Sequence, residues 1–286
     1  MTWSAAALQT VRLCLIAGGM VVAGVLALKI AVLFLEPRLL FHPVRPYIAT
    51  PAALGLPFED VALTTGDGVR IHAWVVPGEG KASLTLLLFH GNAENIGGCL
   101  DLAMLTRPAG YDLLLVDYRG YGESAGRPTE PGLYQDGRAA MRYLISRRRP
   151  DAGRIVVWGR SIGAAVAVET AAADPEATAG VILESPFTSI PDLLRSGGHP
   201  LLYAASRFGS SRFDSASRIA RVGAPLLFVH GTKDEIAPFE LGQRLFDLAP
   251  GRKTFAAIDG GGHNNLWTRH EAEIWGAVRR FLSGLD

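Results

Sequence analysis

The stretch Arg154-Ile155-Val156-Val157-Trp158-Gly159-Arg160-Ser161-Ile162-Gly163-Ala164-Ala165-Val166-Ala167-Val168 sets the reading of the whole chain. After Arg154 come four apolar residues, three of them branched, which predict a strand buried on both faces. The last five are small or branched and apolar, and predict a helix. Between them lies Gly-x-Ser-x-Gly, a tight strand-to-helix turn. Glycine suits such a turn because strand and helix backbones pass close together there. Ser161 then stands at a helix N-terminus, whose amides favour developing negative charge. The alternative for the same five residues is a glycine-rich cap with Ser161 as a mere capping hydroxyl, and the surroundings decide against it.

Outward from this turn, short apolar runs at 69–76, 84–89, 113–116, 155–158, 181–183 and 226–229 predict buried strands, with weaker candidates at 61–64 and 254–258. Helix-like stretches at 94–105, 134–148, 161–173, 239–248 and 266–282 lie between and after them. Alternation on this scale predicts an α/β fold with a mostly parallel sheet. Residues 186–222 break the pattern: no strand is evident, and Leu193, Leu194, Leu201, Leu202, Tyr203 and Phe208 are spaced irregularly. Two readings stand for this section, a small helical cap over the carboxyl edge of the sheet or an ordinary crossover with decorated loops.

Residues 13–35 are apolar or small, with Lys29 the only charge. Crossing a bilayer as helix takes about 20 such residues, and the stem of Lys29 can reach toward the interface. A cleaved signal would have a shorter apolar core and a small-x-small site, whereas this run continues to Phe34 and Leu35. The expected organisation is a membrane anchor over 1–36, a linker over 37–57 rich in proline (Pro37, Pro43, Pro46, Pro51, Pro57), and one domain over 58–286. Arg12 flanks one end of the apolar run, and Arg38 and Arg45 flank the other, a bias too small to set the orientation.

The chain of 286 residues has a formal net charge of +1 and no long run of Lys and Arg. Arg147, Arg148 and Arg149 cluster at an expected helix end, where cations suit the dipole. Nucleic acid is therefore not an expected partner. Two cysteines, Cys14 and Cys99, exclude a disulfide framework, and no Cys/His cluster has zinc-ligand spacing, so no metal is expected.

A serine hydroxyl needs a base beside it to act as a nucleophile. Where a serine sits on such a turn, acid and histidine follow it in chain order, each on a loop after a later strand. Seven histidines compete. His42 and His72 precede the serine; His90 and His230 end strands and read as structural; His199 falls in the irregular section and His270 in the last helix. His263 alone follows in a glycine-rich loop, Asp259-Gly260-Gly261-Gly262-His263, just before that helix. The acid is expected after the 226–229 strand, in His230-Gly231-Thr232-Lys233-Asp234-Glu235-Ile236-Ala237-Pro238. Asp234 is the first choice, because the proline closes the loop and opens the next helix; Glu235 is the alternative. A tetrahedral oxyanion needs preorganised donors. One is expected from the amide of Ile162, the other from Asn92 or Ala93 in His90-Gly91-Asn92-Ala93-Glu94-Asn95, with Asn92 preferred.

With these stretches in place, the chain resembles the α/β-hydrolase superfamily, and within it the membrane-anchored ABHD-type serine hydrolases of the bud-emergence branch. The resemblance runs from Leu39 onward. It is carried by Leu39-Leu40-Phe41-His42-Pro43, Phe89-His90-Gly91-Asn92-Ala93-Glu94-Asn95-Ile96, Asp117-Tyr118-Arg119-Gly120-Tyr121-Gly122-Glu123-Ser124, Gly159 to Gly163, Glu184-Ser185-Pro186-Phe187-Thr188-Ser189, Arg212-Phe213-Asp214-Ser215, the Asp234 loop and Gly262-His263-Asn264-Asn265. It implies an eight-stranded, mostly parallel sheet flanked by helices. It implies a triad of Ser161, Asp234 and His263 that cleaves carboxylic esters or thioesters through an acyl-enzyme, with no metal or organic cofactor. The substrates it implies are small-molecule, lipid or acylated-protein esters, reached from a membrane through the N-terminal helix. In such proteins Asp117 to Gly122 looks like a structural loop, so Asp117 and Arg119 are left out of catalysis. The rival readings are a serine aminopeptidase, which needs a carboxylate for a free amine, and a catalytically silent membrane scaffold.

Overall fold

Branched apolar runs become strands here because both faces of the sheet are covered. The computed structural model describes residues 5–80, 84–147 and 154–285. Its strands are β1 (Glu59–Thr64), β2 (Arg70–Val76), β3 (Leu84–Phe89), β4 (Asp112–Val116), β5 (Arg154–Arg160), β6 (Thr178–Glu184), β7 (Leu226–Gly231) and β8 (Lys253–Ile258). They form one sheet in the order β1-β2-β4-β3-β5-β6-β7-β8. β2 is antiparallel to both β1 and β4, and every later pair is parallel. The two strands with the weakest apolar signal, β1 and β8, are the two edges. Their residues are mostly exposed or half-buried, so their composition had less to conceal.

Side chains alternate between the faces. Leu87, Phe89, Val157 and Phe228 pack with α3 (Glu130–Arg147), α4 (Ile162–Ala173) and α8 (Phe239–Leu248). Leu86, Leu88, Val156, Trp158 and Leu227 pack with α2 (Leu100–Thr106) and α9 (Leu266–Ser283) on the other face. Arg147 ends α3 in an ion pair with Glu59 at 2.6 Å; Arg148 and Arg149 lie outside the described residues.

The N-terminal helix α1 (Ala5–Leu40) is longer than expected, with Pro37 inside it. Arg12–Leu40 is the one helix among the described residues long and apolar enough to cross a membrane. The segment after it differs from the expected linker. Phe41 is only 3% exposed and meets Phe213 edge to face at 6.0 Å. The Asn95 amide donates to the carbonyls of Val44 (3.2 Å) and Pro46 (3.0 Å), and Tyr47 bonds into the domain. Pro43 and Pro46 supply rigid backbone with no amide to satisfy, which serves a strap as well as a tether.

Residues 186–222 form three short helices, α5 (Ile190–Ser196), α6 (Pro200–Ser206) and α7 (Ser215–Arg218), with a 3-10 turn at Ile219–Arg221. They make a helical insertion between β6 and β7.

Candidate active site

Ser161 sits between β5 and α4 with φ 54° and ψ −116°, a region that residues with a Cβ rarely occupy. The flanking glycines make room for it. A Cβ on Gly159 would collide with the backbone of Gly163 and Ala164, closing the strand–helix approach expected from the sequence. A Cβ on Gly163 would instead meet the carbonyls of Phe89 and His90. The second glycine thus clears the end of β3 rather than its own strand.

The loops after β7 and β8 bring two more side chains to the serine. His263 Nε2 lies 3.1 Å from Ser161 Oγ. Its Nδ1 lies 2.8 Å and 3.0 Å from the two oxygens of Asp234. The Asp234 side chain is fully buried, and its Oδ1 accepts from the amides of Ile236 (3.0 Å) and Ala237 (2.7 Å). Burial alone raises the pKa of such a carboxyl. Hydrogen bonds from His230 and His263 outweigh it and hold Asp234 well below the usual carboxylate range. An ionised Asp234 places the imidazole proton on Nδ1 and leaves Nε2 free to accept from the serine hydroxyl. Glu235, the alternative acid, reaches only the backbone amide of His263, at 3.4 Å.

His230, expected to be structural, is fully buried. Its Nε2 lies 2.8 Å from the Ala237 carbonyl and 3.4 Å from Asp234 Oδ2, so it braces the acid loop. Its position as the last apolar-strand residue before glycine was the only sequence signal for this.

On the opposite side, the Asn92 side chain accepts from the Tyr121 hydroxyl at 2.8 Å and donates to the Leu40 carbonyl at 2.6 Å. The backbone amides of Asn92, Ala93 and Ile162 have no hydrogen-bond partner among the described residues.

Glu184 was not anticipated. Buried at the end of β6, it accepts from Trp158 (2.8 Å), Arg160 (2.9 Å) and Trp267 (3.0 Å), and its carbonyl receives the Ser161 amide at 2.8 Å. One carboxylate thereby ties the residue before the serine to the helix after His263. A charged residue closing the apolar run 181–183 was the available clue.

Asp117 is buried and accepts from the Tyr47 hydroxyl (2.6 Å) and the Ile96 amide (3.0 Å), with His90 Nε2 at 3.4 Å. Burial raises its pKa, but bonds from His72, His90 and Tyr47 bring it down to about 2. Arg119 pairs with Asp67 and Asp136. None of these bonds reaches Ser161 or His263.

Residues 80–217 match the family model described as serine aminopeptidase, S33. The alpha/beta hydrolase domain-containing protein WAV2 of Arabidopsis thaliana is 34% identical over 286 residues, covering 93% of this chain and 92% of that one. The chain belongs to the α/β-hydrolase family. Within it, protein bem46 of Schizosaccharomyces pombe is 34% identical, covering 77% of this chain and 76% of its own, which bears out the branch resemblance read from the motifs. YNL320W of Saccharomyces cerevisiae, named a membrane protein, is 30% identical with 93% and 94% coverage. Among solved structures, the Pyrococcus furiosus esterase Pf2001 superposes with a TM-score of 0.71 at 20% identity, covering 85% of this chain and 96% of that one. At that identity the likeness establishes the fold.

Proposed function

We propose that this α/β hydrolase cleaves carboxylic ester or thioester bonds, with Ser161 as nucleophile, His263 as base and Asp234 as orienting acid. The observation that carries the reading is the unbroken line from buried carboxylate to imidazole to strained hydroxyl, with contacts of 2.8 Å and 3.1 Å. Ser161 Oγ attacks the acyl carbon as its proton passes to His263 Nε2. The oxyanion lies against the amides of Ile162 and Asn92 or Ala93. The acyl–oxygen or acyl–sulfur bond breaks, and the leaving group takes the proton from His263. Water, deprotonated by the same histidine, then releases the acid and restores the serine. Asp234 stabilises the imidazolium formed in each half.

The exposed apolar length of α1, with Leu13 at 60% and Phe34 at 66% exposure, supports a second part of the reading: α1 anchors the domain to a membrane.

Labelling with a fluorophosphonate tests the chemistry. We expect the purified protein to be labelled and Ser161→Ala not to be. Equal labelling of both would remove Ser161 from the mechanism. Esters and thioesters should outpace amino-acid amides; efficient release of N-terminal amino acids would favour the peptidase reading instead.

A further inference from the structure

The far end of α1 is bonded to the domain it carries. The Glu36 carboxylate accepts from the amides of Ser210 (2.8 Å) and Ser211 (3.0 Å) and from the Ser210 hydroxyl (2.8 Å). Hydrogen bonds to an ionised acceptor are roughly twice as strong as neutral ones. A Cβ on Gly209 would collide with that carboxylate, so the loop is shaped to receive it. One turn further on, the Leu40 carbonyl takes its bond from Asn92. A single helix end thus holds both the helical insertion and the loop that carries the candidate oxyanion amides.

Helix length fixes the depth of this contact. From residue 13 to residue 35, α1 measures about 34 Å, against a hydrocarbon core of about 30 Å. A spanning α1 therefore puts Glu36, and with it Ser210 and Ser211, at the bilayer boundary. Exposed leucines flank the contact along the chain. Leu39 is 63% exposed, and on α6, which ends three residues before Gly209, Leu201 is 84% and Leu202 47% exposed. Arg38 and Arg207, one on each segment, are also exposed, and cations suit lipid headgroups. Exposed leucines scattered singly need no account; here Leu39 lies three residues after Glu36, and Leu201 and Leu202 lie nine and eight residues before Ser210.

We propose that the Glu36 contact docks the catalytic domain face-down on the bilayer, with α6 seated at the boundary between headgroups and acyl chains. The site then takes its substrate from that leaflet: a long-chain ester amphiphile whose carbonyl already lies at interface depth. This rests on the reading of α1 as a span and of Ser161 as nucleophile. The enzyme need not extract such a substrate from the membrane, because surface and carbonyl occupy the same layer.

The test uses the full-length protein in phosphatidylcholine vesicles. A Cys14→Ser background leaves only the buried Cys99, and an environment-sensitive fluorophore is attached at Leu201→Cys or, as control, at Arg279→Cys on α9. Lipids brominated high on the acyl chain should quench the label at 201 and not at 279. The double variant Leu201→Asp/Leu202→Asp, which alters only exposed positions, should lower turnover of a vesicle-embedded long-chain ester several-fold and leave a water-soluble short-chain ester unchanged. Glu36→Ala should do the same and reduce quenching at 201. Equal quenching at 201 and 279, or an equal loss on both esters in the leucine variant, would overturn the docking. If no form cleaves either ester, the hydrolase reading fails, and quenching at 201 still decides whether the domain lies on the bilayer.

Discussion

Two aspartates in this molecule each sit beside a histidine and a hydroxyl, yet the two clusters are built for different ends. Asp234 holds His263 by one ring nitrogen, and the other faces the half-buried Ser161. Asp117 belongs to a cluster in which no such position is left open. The Tyr47 hydroxyl lies 2.6 Å from Asp117 and 2.7 Å from His72 Nδ1, and Asp60 takes His72 Nε2 at 2.8 Å. Burial and the charge of Asp117 push the Tyr47 phenol far above its usual range, so it keeps its proton. The residue types barely differ. What differs is whether an imidazole nitrogen is left facing a reactive, accessible hydroxyl.

The largest expected effect falls on the open cluster. Ser161→Ala should lower kcat on a short-chain ester by about 10⁶-fold while the thermal midpoint stays put or rises, as read by circular dichroism. Asp234→Asn should cost about 10⁴-fold in kcat, because the neutral amide no longer holds the productive tautomer. A variant retaining more than a tenth of activity would erase the distinction drawn here.

The closed cluster should answer in stability instead. Asp117→Asn disturbs the bonds from Tyr47 and Ile96 and removes the charge facing the two histidines, and should lower unfolding stability by about 2–4 kcal/mol, read from the urea midpoint. Its kcat/KM should change far less than that of Asp234→Asn. A catalytic collapse with an unchanged midpoint would place Asp117 in the chemistry after all. The smallest effect is pH-dependent. Burial lowers the His72 pKa, but Asp117 and Asp60 more than offset it, and the net shift is upward. A histidine raised on folding stabilises the fold below its unfolded value of about 6.5 and loses that contribution as pH climbs through the folded value. Wild type should therefore exceed His72→Gln in stability by more at about pH 6 than at about pH 8. A gap that widened with pH would reverse the assigned charge state.

The open cluster was legible in the sequence because each part is announced locally. Gly159 and Gly163 mark the clearance that a serine turn needs, Asp234 follows a strand of evident apolar character, and His263 stands in a glycine-rich loop just before the last helix. The strap was not. Its contacts join Tyr47 to Asp117 and Glu36 to Ser210, pairs 70 and 174 residues apart, and nothing local distinguishes a proline-rich tether from a proline-rich segment laid on a surface. Glu184 escaped for a related reason: its value lies in Trp158, Arg160 and Trp267 converging on it, which only the register of β5 on β6 and the placement of α9 bring about. The edges of the sheet were faint because edge strands bury less.

The backbone angles of Ser161 store strain at the candidate nucleophile. Holding a residue with a Cβ at such angles costs of order 1–3 kcal/mol, a cost that glycine would not incur. Glycine would relieve that strain, against the larger conformational entropy it loses on folding. The tight approach of β5 to α4 at Gly159 and Gly163 is what holds Ser161 at those angles and presents its hydroxyl to His263.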